Sequence, residues 1–283
     1  MKIYIETDIE GIAGFAFGDD KLEGRRRDLY FEKICRLLTE EVNAAVEGAL
    51  EAGADEVVVH DGHGLGYNID VELLHPEVRI LHGVSTYAPN WQPGLDGSFD
   101  AVVGVGGHVM KDSDGITPHT LFTVNDTLKL GEFHMTAALA GTLGVPFVFA
   151  SGDDRLEAQL RRLVPNLEYA AVKKAWSPCY AESLSPQNAR ALIKEGVAKA
   201  LRRLDQIKPC VLPVKPPYKV GILGADHQDP AAIVTSDSFW EAVMGALETI
   251  FHYELVRQEP WPIMPRGPML NKHQLIARQR QTS

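Results

Sequence analysis

Cysteine is scarce in this chain. Cys35, Cys179 and Cys210 are the only three among 283 residues, and none shares a metal-ligand spacing with another. A disulfide framework or a cysteine-built zinc site is excluded, and idle thiols in a reducing compartment are expected. Long apolar runs are missing too, so no membrane-spanning helix is expected. No basic stretch followed by an apolar one opens the chain, so no secretory leader is read and the cytoplasm is the expected compartment. Basic residues are outnumbered: 28 Lys and Arg against 38 Asp and Glu leave a net charge of -10. That balance argues against a nucleic-acid partner, which would need a cationic surface. There is no GxxxxGK[ST] phosphate loop and no GxSxG nucleophile elbow. Internal repeats and low-complexity tracts are absent as well.

What remains is an ordinary globular composition, 45% hydrophobic and 23% charged. The chain opens on MKIYIETDIEGIAGF, whose residues 2–7 read as a strand. Asp8 and Glu10 follow at its end, two apart, so on extended backbone they point to one side. Like charges held that close repel, and a cation would relieve them. A helix from Tyr30 to Ala52 is read from apolar residues every three or four positions, stopped by Gly53. A buried strand at 56–59 runs into His60-Asp61-Gly62-His63-Gly64. A strand follows at 78–81, and another at 101–105 ends in Gly106-Gly107-His108. This β-α-β order with valine-rich strands implies a parallel sheet.

TVNDTLKLGE reads as a hairpin turning near Asn125-Asp126, and an apolar helix begins at Glu132 and runs through Ala140. A strand at 147–150, a short helix at 154–164, a strand within 168–184 and helices at 187–204 and 242–258 complete the pattern, with KVGILGA as a further strand. Residues 209–217 hold four prolines and read as a connecting strand or linker, and the last twenty-odd residues as an extended arm. The expected fold is a three-layer α/β/α domain with a mostly parallel sheet, residues 1–165. A smaller α+β C-terminal domain is expected over residues 166–283, its arm serving oligomer contacts.

In an open α/β sheet, ligands gather at the carboxyl ends of the strands. Asp8, Glu10, His63 and His108 stand at three such ends, and Glu132 opens a helix after the next strand pair. Each alone is equally consistent with a locally satisfied polar residue. Together, the mixture of carboxylate and imidazole suits zinc or another divalent first-row metal, and suits calcium less. Five ligands with one bridging carboxylate would hold two metals about 3.5–4 Å apart, and Asp8 is the best-placed bridge. His119, in the polar loop KDSDGITPHT, is either a proton shuttle or nucleophile beside the metals or a surface histidine. His60 and His134 read as supporting or core residues. Asp153 and Asp154 could support the site or cap the following helix.

The segments MKIYIETDIEGIAG, LLTEEVNAAVEGALEAGADEVVVHDGHG, LLHP, GVGGH, TPHT, VNDTLKLGE and ASGDDR occur in this order. In them the chain resembles the zinc-dependent D-aminopeptidases of peptidase family M55, most strongly over residues 1–155. The resemblance implies a centre of two zinc ions per chain held by Asp8, Glu10, His63, His108 and Glu132, with Asp8 as the bridge and His119 as the catalytic histidine. It further implies removal of the N-terminal residue of short peptides, including peptides with D-amino acids. A high-order homo-oligomer, a decamer, with active sites facing an enclosed channel is implied as well. The stretch between His119 and Glu132 is several residues shorter than the family pattern, which bears on the pocket and its substrate. Two further readings stand beside the peptidase: a metal-dependent amidohydrolase or deacylase acting on a small non-peptide amide, and a non-catalytic metal-binding protein.

Overall fold

The computed structural model describes residues 1–16, 24–83, 91–224, 230 and 232–257, with side chains through 249. Its larger sheet has seven strands. They are β1 (Lys2–Thr7), β2 (Glu56–Asp61), β3 (Val78–Leu81), β4 (Ala101–Gly107), β7 (Phe147–Asp153), β8 (Glu168–Ser177) and β9 (Tyr180–Ser183). The order is β3-β2-β1-β4-β7-β8-β9, parallel throughout except for the edge strand β9. A second sheet of four antiparallel strands runs β11-β10-β5-β6. Its members are β5 (Leu121–Val124), β6 (Leu128–Leu130), β10 (Tyr218–Leu223) and β11 (Ala232–Ser236). The helices are α1 (Gly24–Glu51), α2 (Glu132–Thr142), α3 (Leu156–Leu160), α4 (Pro186–Arg202) and α5 (Phe239–Arg257).

The central strands are apolar on both faces because helices cover both. Every residue of β4 and β7 is buried. On one face α1 and α4 lie against each other, and Phe149 of β7 packs on Gly196 of α4. On the other, Phe133 of α2 meets Phe147 edge to face at 5.8 Å. A register shift between Val102 and Val103 lets Phe147 and Phe149 address opposite layers. α5 packs on β10 and β11 and also touches α2, so the smaller sheet joins the body through α2 and α5. The sheets do not follow the 165/166 division of the sequence. Strands β8 and β9 extend the larger sheet, while β5 and β6 pair in the smaller one.

Several boundaries differ from expectation. The first helix begins at Gly24 rather than Tyr30, because its opening residues, Arg25 to Leu29, are exposed and carry no apolar stripe. The helix expected over 154–164 is helical only from Leu156 to Leu160. Strand β11, unread in the sequence, has only Ala232 buried; Val234 and Ser236 are half-buried, and Ile233 and Thr235 are exposed. No helix or strand is formed over 209–217. The hairpin turn near Asn125-Asp126 is as expected: both residues are left-handed, with φ of 51° and 58°, and Thr127 N–H closes the turn onto Val124 O at 3.3 Å before Leu128 pairs with Val124. The C-terminal arm and His227 lie outside the described residues.

The order of strands positions the site. From β1 the chain steps outward to β2 and β3, then returns to β4 on the other side of β1. This places a topological switch point between β1 and β4. Thr7 is level with both Asp61 and Val105, so the residues that leave β1, β2 and β4 emerge at one edge.

Candidate metal centre

The loop after β1 is built to approach β4 closely. Asp8 N–H donates to Val105 O at 2.9 Å and Gly11 N–H to Gly106 O at 2.7 Å, continuing the ladder past the strand end. A Cβ on Gly11 would lie 2.0 Å from Gly107 O, so only glycine fits. Asp8 and Glu10 are thereby held in the interior, 3% and 5% exposed.

His63 arrives from the turn after β2. Asp61 organises that turn by accepting Asn68 N–H at 2.6 Å, the Asn68 amide at 2.8 Å and Ile69 N–H at 2.9 Å. The Asn68 amide also donates to His63 O at 2.6 Å. The His63 ring places Nδ1 3.1 Å from both Asp8 Oδ1 and Glu10 Oε2. His108 follows β4 and is fully buried. Its Nδ1 lies 2.7 Å from Val109 O, so that nitrogen carries the hydrogen and Nε2 faces the carboxylates. Nε2 is 3.1 Å from Glu132 Oε1 and 3.5 Å from Asp8 Oδ2. Glu132 is the first residue of α2.

His119 joins the same cluster. Its ring stacks on His108 with centroids 4.3 Å apart and planes at 22°, and its Nε2 is 3.4 Å from Glu132 Oε1. Nδ1 lies 2.9 Å from Thr117 O, so Nε2 is the nitrogen turned to the site. Thr117 has a φ of 45°, unusual for a β-branched residue, and donates its N–H to Pro178 O at 3.0 Å. The loop is also tied to β7, where Asp153 Oδ2 accepts Ile116 N–H at 2.9 Å. Asp153 Oδ1 accepts Arg155 and Leu156 N–H at 2.7 and 3.0 Å, so it does both things foreseen for it: it supports the site and caps α3.

The six residues named from the sequence therefore meet in one volume. Two trios have ligand atoms within 4.8 Å of one another: Asp8, Glu10 and His108, and His108, His119 and Glu132. His63 touches the first trio. His60 turns away and pairs with the buried Glu6, Nδ1 to Oε2 at 2.8 Å. His134 is buried on α2 and accepts Gly131 N–H at 3.3 Å. Burial holds it down to about 4, so it is neutral and props the helix start that carries Glu132.

The electrostatics show how poorly the chain satisfies this cluster alone. Burial, then the neighbouring Glu10 and Glu132, push Asp8 well above the usual carboxylate range. Burial acts upward on Glu10 as well, but His63 overrides it and holds Glu10 well below that range. Glu132 is lowered to about 2: against burial, His108 and then His119 favour its charge. Burial would lower His108, yet Glu132 and Asp8 outweigh it and raise the ring to about 10. Three buried atoms, Asp8 Oδ2, Glu10 Oε2 and His108 Nε2, make no hydrogen bond although they face one another. Buried polar atoms are nearly always paired, so such a knot of orphans calls for a ligand of its own. Oxygen and imidazole donors gathered without thiolates fit zinc or a similar divalent ion.

Two supports were not foreseen. Lys173 on β8 is buried, and Glu41 on α1 is buried beside the loop after β1. The signal for the lysine was present: in AVKKAW two consecutive lysines lie on one strand, so one of them must point inward.

Comparison with known proteins gives a consistent set of matches. The family model described as Peptidase_M55, D-aminopeptidase, matches residues 1–242. A D-aminopeptidase of Bacillus subtilis (strain 168) is 34% identical over 223 residues, covering 76% of this chain and 79% of its own. The solved structure of the Zn-dependent D-aminopeptidase DppA from Bacillus subtilis, a self-compartmentalizing protease, superposes with a TM-score of 0.77. It is 28% identical and covers 92% of this chain and 100% of its own.

Proposed function

The chain belongs to the D-aminopeptidase family, peptidase family M55, and from that membership we propose a metal-dependent aminopeptidase with a dinuclear zinc centre. Asp8, Glu10, His63, His108 and Glu132 are its ligands, with Asp8 shared between the two ions, and His119 is its catalytic histidine. The substrate is a short peptide with a free amino end, including peptides that begin with a D-amino acid. The observation that carries this reading is the knot of orphaned buried atoms, Asp8 Oδ2, Glu10 Oε2 and His108 Nε2, at the switch point of the sheet. Zinc, when bound, supplies Lewis acidity to the scissile carbonyl and lowers the pKa of water toward neutrality.

The chain's own residues supply the rest. The Asp8 and Glu10 carboxylates and the His108 imidazole form a dry floor that excludes bulk water. His119 is the most exposed of the six side chains, at 32%, against 27% for His63 and 18% for Glu132. It therefore stands at the mouth of the site, where substrate arrives. Its Nδ1–H is held by Thr117 O, which leaves Nε2 free to accept a proton and return it to the leaving amine. Glu132 Oε1 lies 3.4 Å from that nitrogen.

Among the described residues no helix is long and apolar enough to cross a membrane. The DppA relative is a self-compartmentalizing protease, and a homo-oligomer of decameric order in the cytoplasm is part of the proposal.

The test is metal analysis of the purified protein with a screen of L- and D-aminoacyl amides, dipeptides and N-acylated amides. Two zinc ions per chain and hydrolysis confined to free amino ends are expected. Bound metal with no amide cleaved would sink the enzyme reading. Cleavage of N-acylated amides alone would replace the aminopeptidase by a deacylase.

A further inference from the structure

Lys173 is a buried cation that no step above uses. It stands near the carboxyl end of β8, level with Asp153 of β7, and is 3% exposed. Its Nζ donates to Glu10 O at 2.5 Å and to Phe15 O at 2.7 Å, and lies 5.5 Å from the centre of the Phe15 ring. The two carbonyls mark the two ends of one loop, so a single ammonium pins residues 10 and 15 together. Glu41 of α1 reaches the middle of the loop, where Oε1 accepts Ala13 N–H at 2.8 Å. The loop that presents Asp8 and Glu10 is thus held both by a strand 163 residues further on and by the helix that follows the loop.

Removing an ammonium from water is costly unless it is paired and hydrogen-bonded, and an apolar residue would fill this space at lower cost. The cation therefore has to be explained by what it holds. Its contacts are to main-chain carbonyls, not to the carboxylate oxygens of Asp8 or Glu10, so they form whether or not those carboxylates have a ligand. Burial lowers Lys173 to about 8, and the neighbouring acids, Glu41 first and then Asp153, Glu10 and Asp8, act in the other direction.

We propose that Lys173 is a positioning residue, a cationic latch that holds the loop of Asp8 and Glu10 in metal-binding shape ahead of the metal, with Glu41 holding the middle of the same loop. This rests on the metal-centre reading above. The latch predicts a preorganised site, whose affinity is raised because the loop need not be ordered on binding.

The experiment compares the wild-type chain with Lys173→Met by zinc competition against a chelator, well below the melting temperature, and by amide hydrogen exchange of both zinc-free proteins. Zinc affinity is expected to fall about 10–100-fold, the usual loss for an outer support of a metal ligand. Exchange should quicken at residues 11–15 and stay unchanged in β10 and β5. A lysine that served global stability alone would lower the melting temperature and leave the affinity of the folded protein untouched. A wild type that binds no zinc overturns the metal-centre reading. A wild type that binds zinc beside a Lys173→Met variant of equal affinity overturns the latch alone. If the variant does not fold, the zinc-free wild type decides: slow exchange at the Ala13 amide supports the latch, and exchange at open-loop rates overturns it.

Discussion

Two clusters of charge in this molecule are built in opposite ways. Along the seam between α1 and α4, Arg190 pairs with Glu40, and Lys194 Nζ reaches Glu47 Oε2 at 2.9 Å and Glu51 Oε1 at 2.7 Å. Every acid there has a cation from the chain itself, and all are open to water. At the sheet edge, Asp8, Glu10 and Glu132 are gathered in the interior with imidazoles as their nearest partners. The seam is complete and contributes little, since exposed pairs are worth about 0–1 kcal/mol. The edge is incomplete, and its imidazoles balance it only by keeping protons that a metal would displace. The difference teaches where an external cation belongs: where the interior holds more negative charge than the chain can answer.

The strongest way to break this contrast is to change the edge. Asp8→Asn removes the proposed bridging carboxylate, so the protein should lose zinc and its peptidase activity together, read by metal analysis and by kcat/KM. Next in size is His119→Ala. It should keep its zinc and lower kcat by about 10²–10⁴-fold, the range for a general base. A parallel loss of zinc in that variant would make His119 a ligand, as its place in the second trio allows. Chelation comes third: a metal that binds only the folded state stabilises it by about 2.7 kcal/mol at 100 times its Kd, so zinc removal should lower the melting temperature measurably.

A smaller effect is expected from pH, at Glu41. Burial raises Glu41 from the ordinary glutamate value of 4.5 to about 8, with Ala13 N–H, Lys173 and Arg190 acting in the other direction. Between those values the folded protein keeps a proton that the unfolded chain releases, so stability falls as pH rises through this window. Glu41→Gln keeps an oxygen acceptor for Ala13 and carries no charge. Its unfolding free energy should lack this fall when the two proteins are compared in urea from pH 5 to 8. The smallest effect belongs to the seam: Lys194→Ala should change stability by less than about 1 kcal/mol and leave zinc content and activity alone.

Much of the sheet was legible because parallel strands buried on both faces spell themselves as valine-rich runs. The strands around Val57–Val59 and Val102–Val103 were readable at once, and each ran two residues further than its apolar core. The turn at Asn125-Asp126 was legible because those residues tolerate the left-handed conformation. Less was visible where polarity hid the pattern. The first turns of α1 are arginine-rich and exposed, and β11 is a five-residue strand with only Ala232 buried. At the site, the histidines and acids stood out by type and position, but the second function of Asp153 in holding Ile116 N–H was only one of two open uses.

The order of residues was enough to determine that acids and histidines would collect at the ends of three parallel strands, since strand period and strand polarity are local properties of the backbone. Whether those groups would be unsatisfied is not local. That Nε2 of His108 has two carboxylates and no hydrogen bond, that His119 stacks on it, and that a lysine more than 160 residues from Glu10 grips its carbonyl depend on which segments share one dry volume. Charge interactions and desolvation are sums over neighbours in space, and only the packed sheet with its covering helices decides who those neighbours are.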